Sequence, residues 1–440
     1  MVSTTPHSKH FLDGKKIVIA GAGVSGLAFT ISIHKLWPQY STSPVPQITL
    51  FERDPSAVPP GREGYSLSLR SDPPSAGIQT LQKMGILEDL LNVSIARLGG
   101  EEEAKGDQGG FVVWDGRTEN WKPVMKIRSK TPPGCPVAGM RIHRAALRRT
   151  LVEAVERLPG VEIRWGEAIT SISPSPSPSS QVTIHTTSGV ATETADLLIA
   201  ADGSSSPLRA LLRPSDTLTF AGPTAIFGTS PLSSSPGSPV EYGTVISGQG
   251  PALFCAPTDD NRMIWALSWP VSSPPAIRKP PLDQRDMEEI LDKAKGVGGE
   301  ALGKRFLGIL MESEREGLRG FNAMDKGGFA HTGGYVEQKE MKGLEGKVLF
   351  VGDANHAVSP FAGNGANLAI ADGWDLADSL MVRWFKDGLR KAVERYDRLA
   401  VGRARMVVKT SRWNIGIMHS GGWRLVVALW VLRVVQWLFF

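Results

Sequence analysis

The chain has 440 residues, 41% of them apolar, and its 49 Lys and Arg against 44 Asp and Glu give a formal net charge of +5. A chain of this length supports a large buried core and favours two interleaved domains over one, because single cores stop growing near ~250–300 residues. The near balance of charge argues against a nucleic-acid partner, and two cysteines, Cys135 and Cys255, in no C-x-x-C or histidine-spaced pattern argue against a disulfide framework, a zinc site or a redox dithiol.

The first residues are polar and lack a charged-then-apolar leader, so a reducing, cytoplasmic location is expected. Residues 15–20 (Lys-Lys-Ile-Val-Ile-Ala) form a β-branched run stopping at glycine, the pattern of a buried parallel strand. Gly21-Ala22-Gly23-Val24-Ser25-Gly26 follows, a G-x-G-x-x-G opening a helix that Pro38 ends. The glycines permit a tight turn, close approach of a pyrophosphate and close helix–strand packing, and the helix N-terminus supplies oriented N–H donors. After a Pro/Ser linker, a second strand at 47–51 runs into Glu52-Arg53-Asp54. A carboxylate there can accept from a ribose diol and disfavours a 2′-phosphate, leaving FAD or NAD as the dinucleotide.

Helices are expected at 75–91, with a break at Gly85, and at 142–158; a basic cluster of Arg141, Arg144, Arg148 and Arg149 accompanies the second and reads as a solvated face. Strands are expected at 161–165 and 181–186, separated by a Ser/Pro run at 173–180 that must be an exposed loop. Aromatic-rich strands at 252–255 and 263–269 belong to a different sheet. Residues 347–351 are a further buried strand, leading through a glycine-rich loop to a helix at about 365–384. The apolar stretch 421–440 contains Arg424, Arg433 and Gln436, which disfavour spanning a bilayer; a buried or dimer-forming helix, or a peripheral membrane anchor, is expected instead.

Two more motifs join the glycine fingerprint: Ala201-Asp202-Gly203 after a strand, with Arg209 beyond, and Gly352-Asp353 running through Pro360-Phe361-Ala362-Gly363-Asn364-Gly365-Ala366-Asn367 into a helix. In this order they resemble the class A flavoprotein monooxygenases typified by para-hydroxybenzoate hydroxylase, and the Phe-Glu-Arg-Asp and Pro-Phe-Ala-Gly stretches resemble the tetracycline-degrading and fungal secondary-metabolite members. The resemblance covers nearly the whole chain. It implies an α/β fold: a Rossmann-like FAD-binding domain from 13–75, 135–205 and 335–400, an inserted mixed β-sheet substrate domain from 76–134 and 206–334, and C-terminal helices from 401–440.

The same resemblance implies FAD as cofactor, NAD(P)H and O2 as co-substrates, and hydroxylation or epoxidation of a small hydrophobic, aromatic metabolite by oxygen activated on the flavin. Asp353 would face the ribityl and pyrophosphate region, and the turn at Gly365, Ala366 and Asn367 would bring a helix N-terminus to the flavin ring. Asp202 would serve the flavin and nicotinamide sides with Arg209 as its salt partner. Arg144 would approach the cofactor, with Arg62 and Arg70 as further contacts, and His356 would pack beside the loop. Pro360 and Phe361 are expected in the substrate pocket; Trp114, Phe254, Trp265 and Trp269 are lining candidates that read as core residues first. No side-chain nucleophile is required, because the flavin carries the bond chemistry. A flavin-dependent oxidase or reductase, or a nonenzymatic FAD-fold binding protein, is the alternative. A halogenase lacks its Trp-x-Trp-x-Ile-Pro stretch here, and a two-dinucleotide Baeyer–Villiger enzyme lacks its second glycine fingerprint.

Overall fold

The computed structural model describes residues 10–439 except 60–64, 74–75, 100–108, 129, 176–180, 190–192, 239, 260 and 279–280; Arg62 and most of the Ser/Pro run therefore lie outside the described residues. Five short strands form a parallel sheet in the order Val348–Phe350, Leu197–Ala200, Lys16–Ala20, Gln47–Glu52, Val161–Trp165. Strand alternation sorts its side chains between two cores. Ile17, Ile19, Leu197, Ile199, Leu349 and Val351 face a cluster shared with the helices Val24–Leu36, Arg144–Glu156 and Gly365–Met418. Val18, Ala20, Leu198, Ala200, Val348 and Phe350 face a second cluster with Ile172, Val182 and Ile184 of a small antiparallel sheet, Ile169–Pro174, Val182–Thr186 and Glu193–Ala195.

The helices Gly77–Met84 and Leu87–Asn92, separated at Gly85 with φ +82°, place Ile78, Leu81, Leu87 and Leu90 in the first of these cores. By packing they sit with the parallel sheet, whereas the sequence reading put residues 76–92 in the substrate part. The expected helix at 142–158 begins two residues later, because residues 139–143 are a strand pairing with Ser66–Arg70 and Ala96–Leu98. The helix expected to end near 384 continues to Met418, interrupted at Gly388, whose φ of +77° breaks the helical path.

The inserted material builds a seven-stranded sheet in the order Arg319–Asp325, Thr219–Pro231, Arg262–Pro270, Ala252–Pro257, Glu241–Ile246, Gly110–Asp115, Lys122–Ile127. The helical segment Gln284–Met311, started by a capping box at Asp283 and broken at Gly303 with φ +73°, covers one face and buries Trp114, Trp265 and Trp269 there. The opposite face carries Tyr242, Ile264, Phe111, Phe227 and Phe254, with Leu98 against it. The C-terminal helix Gly422–Phe439 packs Leu425 and Leu429 onto Val113, Met125 and Ile246 at that sheet's edge, while Trp423 (73% exposed), Val426, Val427 and Trp430 (65% exposed) point to solvent. Among the described residues no helix is long and apolar enough to cross a membrane.

Candidate dinucleotide and substrate site

The three motifs converge because their strands are neighbours in the parallel sheet. Gly21 adopts φ +102°, and a Cβ there would stand 2.5 Å from the Ala201 carbonyl oxygen, so glycine is needed for both conformation and space. A Cβ on Gly26 would stand 2.3 Å from the Gly21 oxygen. Gly23 differs: its nearest neighbour would be the Ala201 oxygen at 3.9 Å, so the chain leaves room there rather than filling it. A Cβ on Gly352 would stand 2.9 Å from Ser25 Oγ, which seats the third motif directly on the first. Val24 is partly buried against the first core.

The helices starting at Val24 and Gly365 have no side-chain cap and no acid in the first turn, so their first N–H groups and dipoles are available to an anionic or electron-rich ligand. Near the second helix start, Gly363 takes φ +62° and Ala366 packs against the first core. The Asn367 side chain is taken up within the chain. Its Oδ1 accepts from the Arg70 amide at 2.9 Å and its Nδ2 donates to the Ser68 carbonyl at 2.9 Å, clamping strand Ser66–Arg70 to the helix.

Glu52 closes the glycine turn: Oε2 accepts from the Ala22 amide and Oε1 from the Asp54 amide, both at 2.9 Å. Arg148, which the sequence placed on a solvated face, is buried against it. Its guanidinium lies 3.1 Å from Glu52 and 2.7 Å from Asp54, donates to the Ala22 carbonyl at 3.1 Å and stacks on Trp165. Of the basic cluster only Arg149 is fully exposed; Arg141 and Arg148 are buried and Arg144 is half-buried. A two-sided helix–strand junction, rather than a free helix, accounts for that correction. Arg53, beside Glu52, is exposed.

Asp202 is also only partly as expected. Its Oδ2 accepts from the Leu208 amide at 3.2 Å, Oδ1 is buried without a partner among the described residues, and burial raises its pKa. Arg209 does not form the expected ion pair with it; the guanidinium donates instead to the carbonyls of Ala354 at 2.9 Å, Asp216 at 3.2 Å and Ser204. Arg209 thus staples the second motif to the third. Desolvation pushes the half-buried Asp353 up to about 6, with His356 opposing and Arg144 and Arg209 close enough to act on it. Arg144 itself lies over the Tyr65 ring at 5.8 Å.

Beneath the loop, Asp372 organises the buried polar groups. It accepts from the Gly352 amide at 3.0 Å, lies 2.5 Å from His356 Nε2 and pairs with Arg403 at 2.9 Å. Burial would raise its carboxyl, but His356 and Arg403 outweigh burial and hold it at about 2. His356 is buried beneath the loop with Nε2 on Asp372 and Nδ1 without a partner among the described residues.

On the substrate side, Pro360 is exposed and Phe361 half-buried, its ring 5.7 Å from His419. His419, which no sequence signal marked, links the loop at Phe361 to the seven-stranded sheet. Its Nδ1 lies 2.8 Å from the Ile415 carbonyl, so Nδ1 carries the proton and Nε2, 3.0 Å from Ser268 Oγ, accepts. Burial lowers its pKa. Trp114, Trp265 and Trp269 are core residues on the helix side of the sheet; Phe254 is on the opposite face with the buried Tyr242 and the half-buried Phe227.

The family described as "FAD binding domain" matches residues 339–411. Monooxygenase cfoF of Aspergillus candidus is 30% identical over 424 residues, covering 94% of this chain and 93% of the relative. In fold, the chain is similar to Klebsiella pneumoniae HpxO complexed with FAD and uric acid (TM-score 0.70, 19% identity, 97% and 94% of the two chains). It is also similar to the tetracycline destructase Tet(51) (TM-score 0.60, 18% identity, 97% and 98%).

Proposed function

This chain belongs to the class A FAD-dependent monooxygenases, and from that premise we propose that it uses NAD(P)H and O2 to hydroxylate or epoxidise a small, hydrophobic, aromatic metabolite. The observation that carries the reading is the convergence of three distant motifs around a place the chain leaves open at Gly23. In this reading the Gly21–Gly26 turn and its helix N-terminus hold the pyrophosphate, and Glu52 uses its remaining lone pairs for the ribose. Asp353 and the backbone of Gly365 and Ala366 meet the ribityl chain and ring, and Arg144 flanks them. Segments 13–75, 135–205 and 335–400, joined by 77–92, make up the FAD-binding part.

When bound, FAD supplies the redox chemistry, taking reducing equivalents from NAD(P)H and activating oxygen. The chain's task is to orient the substrate and exclude water. The half-buried Phe227 and Phe254 offer aromatic surface to a planar substrate, while Phe361 and His419 bridge loop and sheet. The test is stoichiometric flavin uptake by purified protein, followed by turnover under labelled oxygen with a panel of aromatic metabolites. One labelled atom in the product supports the reading; reduced cofactor consumed with label only in peroxide or water favours an oxidase, and failure to take up flavin removes the premise.

We also propose that the C-terminal helix rests on an anionic lipid surface. No Asp or Glu follows Asp397, whereas Arg405, Lys409 and Arg424 are exposed in the last two helices, as are Trp413, Trp423 and Trp430, with Arg424 over the Trp423 ring. Aromatic and basic residues together suit a headgroup interface. Co-sedimentation with phosphatidylserine vesicles, weakened by Trp423→Ser/Trp430→Ser and absent on phosphatidylcholine, is expected; a concentration-dependent dimer without vesicle binding would overturn it.

A further inference from the structure

Arg141 sits in the middle of strand Gly139–His143, where its neighbours Met140 and Ile142 enter the first core and its own side chain goes the other way. It is 2% exposed. Nη1 donates to Ser68 Oγ at 2.9 Å and Nη2 to Ser66 Oγ, the guanidinium lies over the Tyr242 ring at 5.1 Å, and Nε is buried with no partner. No carboxylate pairs with it among the described residues. Desolvation lowers it to about 10, with only Tyr242 opposing.

A guanidinium cannot shed its proton at ordinary pH, so burying it without a counter-charge is costly, and hydroxyls do not neutralise it. The surroundings are those of the proposed substrate side. Tyr242 meets Phe111 edge-on at 5.7 Å, and Phe227 meets Phe321 at 6.0 Å. The strand carrying Ser66 and Ser68 is the one that Asn367 clamps to the helix starting at the flavin loop. Arg141 therefore stands, buried, between the aromatic face of the seven-stranded sheet and a strand clamped to the helix Gly365–Met418.

We propose that Arg141 recognises the substrate, which carries an acidic oxygen, a carboxylate or an ionised phenol or enol, that completes the guanidinium's hydrogen bonding. The inference rests on the monooxygenase reading above and names its substrate class. A planar fork with an unpaired Nε–H suits an anionic oxygen, and the charge-assisted bond would be strong in so dry a place.

The test uses the FAD-loaded enzyme and follows perturbation of the flavin absorbance during titration with 6-hydroxy-2-naphthoate, 6-hydroxy-2-naphthamide and 2-naphthol. The acid is expected to bind about tenfold or more tightly than the amide, a difference of roughly 1.4 kcal/mol. In Arg141→Gln the ratio should fall to about one, and Arg141→Lys should keep part of it. If the preference lies instead with an ionised phenol, 2-naphthol binding tightens as pH rises towards its pKa in the wild type and not in Arg141→Gln. Equal binding of acid and amide with no pH-dependent gain for the naphthol, no binding by any of the three, or an undiminished preference in Arg141→Gln overturns the proposal. These outcomes are read only on protein retaining stoichiometric FAD; lack of flavin uptake speaks against the monooxygenase reading instead.

Discussion

Arg148 and Arg141 belong to one strand–helix unit and are equally hidden, at 5% and 2% exposure, yet their surroundings are opposite. Arg148 is held by Glu52, Asp54 and the Ala22 carbonyl. Arg141 has two serine hydroxyls and the face of a tyrosine ring. The Arg148 end of the unit has its counter-charges in the chain itself, so its geometry does not wait for a ligand. The Arg141 end has no counter-charge among the described residues, and such a buried charge is what a ligand of opposite sign can satisfy.

The contrast is broken most directly at Arg148. Replacing it by Met leaves Glu52 and Asp54 buried without their cation, and a loss of ~3–5 kcal/mol is expected in chemical unfolding of the apoprotein. A loss below about 1 kcal/mol, comparable with a surface pair, would mean that the Arg148 end is not held as described. Asp372 tests the same completeness by pH. Its folded value of about 2 lies below its ordinary 3.8, so it contributes stability above pH 4 that is lost as pH falls towards 2. The contribution is on the order of 2 kcal/mol. Asp372→Asn should therefore flatten the stability profile between pH 4 and 2, and an unchanged slope would count against the pairing with His356 and Arg403.

The glycines separate architecture from ligand binding on a smaller scale. Gly26→Ala drives a methyl against the Gly21 oxygen and should cost ~1–3 kcal/mol with or without flavin. Gly23→Ala meets no close atom of the chain, so apoprotein stability should hold while flavin affinity falls. Equal effects of both on the apoprotein would deny that Gly23 faces a ligand.

Much of the cradle was legible because it is local. A β-branched run, a glycine spacing and a strand-end acid lie within one βαβ unit, and their meaning depends little on what packs around them. The basic cluster was not legible in this way. Which arginine is buried depends on where residues 139–143 stop being strand and start being helix, and on Glu52 arriving from another strand. The tryptophans are core, the reading placed ahead of a lining role, but the side each aromatic takes was not legible for a related reason. Alternation says that Trp265 and Phe254 have definite sides, but not which side the helix Gln284–Met311 will cover. His419 gave no signal because its role comes from a chain reversal that brings it to Ser268 across the sheet.

The smallest expected effect is the most discriminating. Arg141→Met removes a cation that has no anion to lose among the described residues, and the new side chain suits the Tyr242 ring that the guanidinium covers. The two serines keep other options, since Ser66 already donates to the Pro257 carbonyl. Desolvation is relieved, two neutral-acceptor hydrogen bonds are lost, and the terms nearly cancel, leaving a stability change within about 1 kcal/mol of zero. Set beside the several kcal/mol expected at Arg148, measured by the same unfolding experiment, a small Arg141 effect means that this charge is not held for the fold. A large destabilisation would mean the opposite: the guanidinium is a structural strut between strand Ser66–Arg70 and the seven-stranded sheet, and the difference between the two ends of the unit disappears.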